Sequence, residues 1–181
     1  MTTRLQFKIA ESESEKRAAL QIIEAVFVHE LGHTGVKPDG FDELSLLITA
    51  AAGGKTIATL RFIPDSPAGL PIEEHLDLSG LRQAGVKLGE VSRLACLKEF
   101  RNYLVVFRGL SYFKELAQAT GVSHLVIESL IRTKSLYRSL GFTQIGEPFC
   151  DRSVASSESD LRPNSVAMLA RVEDLRAKMV V

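Results

Sequence analysis

The sequence predicts one α/β domain over residues 1–181, a mixed sheet flanked by helices. Two observations carry that expectation. Apolar residues switch between a period of two and a helical period along the chain, and Gly- and Pro-marked breaks divide it into the order β-α-β-β-β-α-β-α-β-β. Composition sets the scale: with 181 residues, 45% of them apolar, the chain can bury one substantial core.

The elements follow in order. Leu5 to Ile9 alternates as a short strand, and the acidic, Ser-rich Glu11 to Ser14 starts a helix whose Ala19, Ile22, Ile23, Val26 and Phe27 repeat at helical spacing. Gly32 to Gly40 is loop. Leu44 to Ala52 and Thr56 to Ile63, split by Gly53-Gly54, read as an antiparallel hairpin. Pro64 to Lys87 is an irregular connection with a helical turn or two near Glu73 to Gln83, and Leu88 to Leu97 is a strand. Tyr103, Val106, Leu110, Phe113 and Ala117 make one helical stripe that stops at Gly121. Ser123 to Ser129 is then a strand, Ile131 to Leu140 a short helix, and Phe142 to Ile145 and Ser165 to Val172 the last strands, around a polar loop at Ser153 to Asn164.

Charge and hydropathy exclude several functions. The 22 basic and 22 acidic side chains cancel, so no global field would hold nucleic acid or an anionic membrane. Apolar stretches such as Leu44 to Gly53 fall well short of the roughly 20 residues a bilayer crossing needs. The start of the chain lacks the apolar run of a secretory signal, so a cytoplasmic location is expected, with Cys96 and Cys150 as free thiols.

The run Ser135-Leu136-Tyr137-Arg138-Ser139-Leu140-Gly141-Phe142 resembles a segment common near the end of GNAT acetyltransferase domains. A more pointed resemblance is to acyl-homoserine lactone (autoinducer) synthases and long-chain N-acyl amino acid synthases. Its pieces are Val26-Phe27, Leu31-Gly32, Asp39-Gly40-Phe41-Asp42, Arg61 within Leu60-Arg61-Phe62, and Glu90-Val91-Ser92-Arg93-Leu94, in the same order and at similar separations. The resemblance implies a GNAT-like, mostly antiparallel central sheet and transfer of a fatty acyl group from acyl carrier protein or acyl-CoA to an amine. Ile23 stands where autoinducer synthases carry arginine, and His33 where they carry tryptophan. These departures turn the expected acceptor from S-adenosylmethionine toward an amino acid or another simple amine. The stretch from Lys98 to Gly109 lacks the glycine-rich pyrophosphate turn of ordinary acetyltransferases, which favours a carrier-borne phosphopantetheine arm over free coenzyme A.

Acyl transfer to an amine needs a base, a donor to the developing oxyanion and an acid for the departing thiolate. Glu90 is the candidate base, on a strand whose regular alternation puts Ser92, Leu94 and Cys96 on its face; a plain strand carboxylate is the alternative. Arg93 would face the other way unless the strand is bulged. The resemblance implies such a bulge, with backbone amides near Leu94 to Cys96 meeting the thioester carbonyl. Arg93, Arg61, Asp39 and Asp42 would form a charged cluster, either contacting the acceptor or bracing its loop. Tyr137 occupies the place from which many acetyltransferases protonate the thiolate, or is a core aromatic. From Lys98 to Leu140, seven basic residues stand against three acidic ones, and Lys98, Arg101, Arg132 and Lys134 are the candidate contacts to an acidic carrier.

His29-Glu30-Leu31-Gly32-His33 fits the H-E-x-x-H zinc pattern, so His29 and His33 of a metallopeptidase are a competing reading. Against it, Gly32 and Gly35 interrupt the helix, and Val36 stands where the extended pattern has glycine. No permanently bound cofactor or metal is expected. The favoured function is an N-acyltransferase acting on an amino acid. The alternatives are an autoinducer synthase, an acetyl-CoA-dependent N-acetyltransferase, a zinc peptidase, and a domain that binds acyl ligands without turnover.

Overall fold

A computed structural model of the chain describes residues 5–33, 39–101, 103–154 and 161–176. Seven strands form one sheet: β1 (Leu5–Ile9), β2 (Leu46–Ala52), β3 (Lys55–Pro64), β4 (Leu88–Cys96), β5 (His124–Leu130), β6 (Thr143–Phe149) and β7 (Ser165–Arg171), in the order β1-β2-β3-β4-β5-β7-β6. Every neighbouring pair is antiparallel except β4 with β5. The helices are α1 (Glu13–Ile23), α2 (Ser79–Gln83), α3 (Tyr103–Ala119) and α4 (Lys134–Ser139). The mixed α/β architecture read from the sequence, and the mostly antiparallel sheet that the resemblance implied, are the ones observed.

Local chemistry explains the boundaries. Ser12 caps α1 in a capping box, its Oγ accepting from the Glu15 amide at 3.3 Å while the Glu15 carboxylate accepts from the Ser12 amide at 3.0 Å. Gly53 and Gly54 take φ of 59° and 82°, the left-handed pair that a two-residue hairpin turn with the twist of its strands requires. β2 begins at Leu46 rather than Leu44, because the amides of Leu44 and Ser45 turn back to the carbonyls of Phe41 and Asp42. The expected loop over Gly32 to Gly40 includes 34–38, and the polar loop over Ser153 to Asn164 includes 155–160; both stretches, with Gly35 and Val36, lie outside the described residues.

The first helix does not end where its periodicity fades. After Ile23 it continues as a π-helical segment, Glu24–Glu30, in which the Leu31 amide reaches back five residues to the Val26 carbonyl at 3.0 Å. Such widened turns cluster at functional sites.

The two faces of the sheet hold different layers. On one, Leu110, Phe113 and Ala117 of α3 pack over Ile48, Leu60, Phe62, Leu125 and Ile127. On the other, Ile22, Ile23 and Val26 cover Ala95, and the connection between β3 and β4 buries Leu70, Ile72 and Leu78 against Ile63, Leu88 and Val126. That irregular connection is anchored by Arg82, which donates to Asp65 at 2.6 and 2.8 Å and to Glu73 at 2.7 Å.

Gly89 shows how tightly β4 is held. A Cβ there would lie 2.7 Å from the Phe62 ring and 3.2 Å from Val122. Phe62 is fully buried and meets Phe113 edge to face, so it has nowhere to move. Gly89→Ala is therefore expected to lower unfolding stability by about 1–3 kcal/mol, read from the urea midpoint at unchanged m-value.

Candidate active site

β4 is distorted at Arg93. The register steps from Thr59↔Ala95 to Arg61↔Ser92, so β4 carries one residue more than β3 across this interval, and Arg93 takes a φ of 52°, unusual for a residue with a side chain. This is a β-bulge. β4 and β5 pair only from Leu88↔His124 to Val91↔Ile127 and then part. Beyond Val91, the edge of β4 that faces β5 carries no strand partner.

The bulge corrects the expected facing of side chains. Thr59, Arg61 and Ile63 lie on one face of β3, opposite Ala95, Ser92 and Glu90. Glu90, Ser92 and Ala95 thus share a face, whereas Cys96 turns to the α3 side with Ala58 and Val105. Leu94 and Cys96 do not sit on the face of Glu90, because the extra residue reverses the alternation after Ser92. Leu94 is exposed.

A cavity of about 990 Å³ runs through the gap between the strands. Its polar end is lined by Glu90, Arg61, Arg93, Glu128 and Asp151, and its apolar end by residues under α3, including Ile48, Ala50, Leu60, Val106 and Phe113. One end can hold charged groups and the other a hydrocarbon chain.

Asp39, Asp42, Arg61 and Arg93 come together as expected. Arg61, nearly fully buried, donates to both Asp39 oxygens at 2.7 and 2.8 Å and to Asp42 at 2.8 Å. Its Nε donates to Ser92 Oγ at 3.0 Å. Arg93 adds bonds to Asp42 at 2.8 Å and Asp39 at 2.9 Å. Burial works to raise the Asp39 pKa, but the Arg61 bonds overrule it and hold the carboxyl below its ordinary range. Two cations and two anions balance, and the bulge is what turns Arg93 toward the aspartates.

Glu90 has no cation of its own. It is 2% exposed and accepts one bond, from the Ile72 amide at 2.9 Å. Burial is the main cause pushing its pKa up to about 7, against the weaker pull of that amide and of Arg61. The turn that supplies the amide is Pro71–Glu74, whose Glu73 carboxylate caps the Leu70 amide at 2.8 Å while being held by Arg82. This second tier was not read from the sequence, because Asp65, Glu73 and Arg82 are three of six charged residues in an irregular stretch.

Glu128 was also missed. It lines the same cavity from β5, and burial, with Asp151 nearby, raises its pKa. An alternating strand gives no hint that its one acid faces inward. Tyr137 lines the cavity too, packed edge to face on Phe142 at 5.9 Å; burial raises its pKa, so the phenol keeps its proton.

The basic candidates separate. Arg101 is committed to the Glu30 carboxylate, with one bond of 2.7 Å, and to the Cys96 carbonyl at 2.7 Å. Lys134 donates to Gln144. These two are corrected: they are tied inside the fold rather than free for a partner. Lys98 and Arg132 are exposed, and Arg132 also lines the cavity.

The zinc pattern is not assembled. His29 is exposed on the π-helical segment, 3.7 Å from Glu24, whereas His33 lies past Gly32, at φ 70°, buried against Phe27. Widening the helix and breaking it at Gly32 removes the shared face that the i, i+4 spacing needs. Among the described residues no group of three His, Cys, Asp or Glu side chains could hold a metal ion.

A family model described as the N-acyl amino acid synthase FeeM matches residues 19–173. The solved structure of FeeM, an N-acyl amino acid synthase from uncultured soil microbes, is 21% identical, with 99% of this chain and 97% of that one covered and a TM-score of 0.78. Escherichia coli ElaA is 18% identical, covering 94% and 100%, with a TM-score of 0.68. The AHL synthase LasI is 13% identical, covering 99% and 98%, also with a TM-score of 0.68. At these identities the solved structures speak for the fold. Comparison with curated proteins gave no match.

The burial of Glu90 has a measurable cost. Its folded pKa lies above the ordinary 4.5, so its proton leaves the unfolded chain first, and its contribution to stability falls as pH rises from about 4.5 to about 7. Glu90→Gln removes that fall. Relative to the unaltered protein, the variant is expected to gain on the order of 3 kcal/mol between pH 4 and pH 8, measured by urea unfolding at both.

Proposed function

This chain belongs to the N-acyl amino acid synthase FeeM family and is an N-acyltransferase, and from that premise we propose that it moves a fatty acyl group from acyl carrier protein to the amine of an amino acid. The observation that carries this reading is the cavity through the sheet, polar at one end and apolar at the other, with Glu90 beside the gap.

The donor thioester lies where β4 and β5 part, its acyl chain running under α3. The carbonyl oxygen meets the unpartnered edge of β4 at the amides of Leu94 to Cys96, which support the charge that develops there. The amine arrives on the Glu90 side. An ammonium ion cannot attack, and a carboxyl group with a pKa near 7 is suited to take its proton at neutral pH. Tyr137, protonated and in the cavity, supplies a proton to the departing thiolate.

Arg61, Arg93, Asp39, Asp42 and Ser92 brace the loop over the acceptor end. With their charges paired, they hold shape rather than bind substrate charge. Carrier docking falls to Lys98 at the start of the α3 region, and the choice of carrier over coenzyme A rests on the absence of a glycine-rich turn before α3. No helix of the described residues is long and apolar enough to cross a membrane.

Glu90→Gln is expected to lower kcat by about 10²–10⁴-fold with the acceptor KM little changed, and to abolish the limb of the pH–rate profile that rises through about pH 7. Rates with acyl carrier protein and with acyl-CoA, measured side by side, test the donor. A higher kcat/KM for the carrier-borne chain is the expected result; equal values, or a full rate with Glu90→Gln, would sink the corresponding part of the proposal.

A further inference from the structure

Of the four arginines that line the cavity, three are committed to carboxylates. Arg61 and Arg93 are paired with Asp39 and Asp42, and Arg101 with Glu30. That leaves Arg132, which has no ion pair among the described residues although it lines the cavity. His33 lines it as well, is 8% exposed, and buries an Nδ1 atom that has no hydrogen-bond partner among the described residues. A buried polar atom without a partner is one that a ligand atom can satisfy.

Both residues also line a second chamber of about 550 Å³, whose wall includes Asn164 and Glu30. The main cavity and this chamber meet at His33 and Arg132, so the polar end has a side branch apart from the apolar end.

Two acids, Glu128 and Asp151, line the same cavity. Glu128 lies next to Asp151 and within electrostatic reach of Glu90. Asp151 is fixed in place: its amide donates to Asn164 Oδ1 at 2.8 Å, its carbonyl accepts from Asn164 Nδ2 at 2.8 Å, and its carboxylate accepts from the amide and hydroxyl of Ser153, both at 2.8 Å. His33 feels both Arg132 and Asp151, so one chain of neighbours runs from Glu90 through Glu128 and Asp151 to His33 and Arg132.

We propose that this chain of residues is the acceptor site, with Arg132 and His33 holding a carboxylate at the mouth of the side chamber and Glu128, beside Asp151, holding an ammonium group next to Glu90. The ligand class is an α-amino acid bound as its zwitterion. This rests on the acyl-transfer reading and deepens it. Arg132 then serves the acceptor and not the carrier.

The charges balance. Burial, with Asp151 beside it, raises the Glu128 pKa, and an incoming ammonium favours its ionised form, so that one negative charge faces one ammonium. Burial and Arg132 lower the His33 pKa, so its ring is neutral and offers a single N–H to a carboxylate oxygen already bound by Arg132. In the reaction, the ammonium gives one proton to Glu90, and the freed nitrogen lone pair attacks the thioester carbonyl carbon. The carbon–sulfur bond breaks, and a second nitrogen proton is matched by the proton taken up by sulfur. The products are an amide, a thiol and a proton on Glu90 that returns to solvent.

The test compares an amino acid with the amine that lacks its carboxylate, in the unaltered protein, Arg132→Met, Arg132→Lys and Glu128→Gln. The unaltered protein is expected to favour the amino acid. Arg132→Met is expected to raise the amino acid KM about 10- to 100-fold, narrow the preference over the amine to a few-fold and leave the donor KM in place, with partial recovery in Arg132→Lys. Glu128→Gln is expected to raise KM for both acceptors. If Arg132→Met instead raises the donor KM and keeps the acceptor preference, the assignment is overturned. If the unaltered protein forms no acyl product with any amine, the acyl-transfer reading falls first and this assignment with it.

Discussion

The parting of β4 and β5 is the constraint on which the site depends. Four residue pairs from Leu88 to Val91 join the strands, and then nothing does. In an ordinary sheet such a gap would leave unpaired backbone groups at a cost; here it opens a passage between the two faces. The apolar layer under α3 and the polar layer over Glu90 would otherwise be separate compartments. The passage lets a thioester and an amine, which differ in every physical property, meet at one point.

Two features hold the passage open. The bulge at Arg93 bends β4 and reverses its alternation, sending Cys96 toward α3 while keeping Glu90 and Ser92 on the acceptor side. Its positive φ is a local strain that the ion pairs of Arg93 with Asp39 and Asp42 offset. The second feature is the connection between β3 and β4. Arg82 fixes Glu73, Glu73 fixes the turn, and the turn delivers the Ile72 amide to Glu90. A carboxyl group left with one neutral donor and no cation has a pKa near neutrality. The neighbouring aspartates, by contrast, are saturated with arginine, which fits them for holding shape.

Most of the fold was legible because its signals are local. Alternation marks β1, the Gly53-Gly54 pair marks the hairpin, and the stripe from Val106 to Ala117 marks α3. The grouping of Asp39, Asp42, Arg61, Glu90 and Arg93 was legible only through resemblance, since nothing in their spacing brings residues on a loop and two strands together. The facing of Leu94 and Cys96 was misread because a bulge is set by pairing with the next strand. The π-helical segment was missed because a widened turn is not marked by the apolar spacing around it, and it undoes the zinc pattern, which assumes 3.6 residues per turn. Arg101 and Lys134 were expected to be free because a sequence shows charges without their partners, Glu30 and Gln144. Glu128 and Asp151 went unnoticed: each is a single acid among ordinary neighbours until the sheet sets them beside one cavity.

The central claim is that this cavity joins a thioester carbonyl to an amine nitrogen. The most direct measurement is mass spectrometry of the purified protein mixed with acyl carrier protein bearing a range of chain lengths, a pool of amino acids and S-adenosylmethionine. An amide-linked N-acyl amino acid formed only with protein present is the result the account predicts. Release of free fatty acid without an amide, or formation of a lactone in its place, would contradict it.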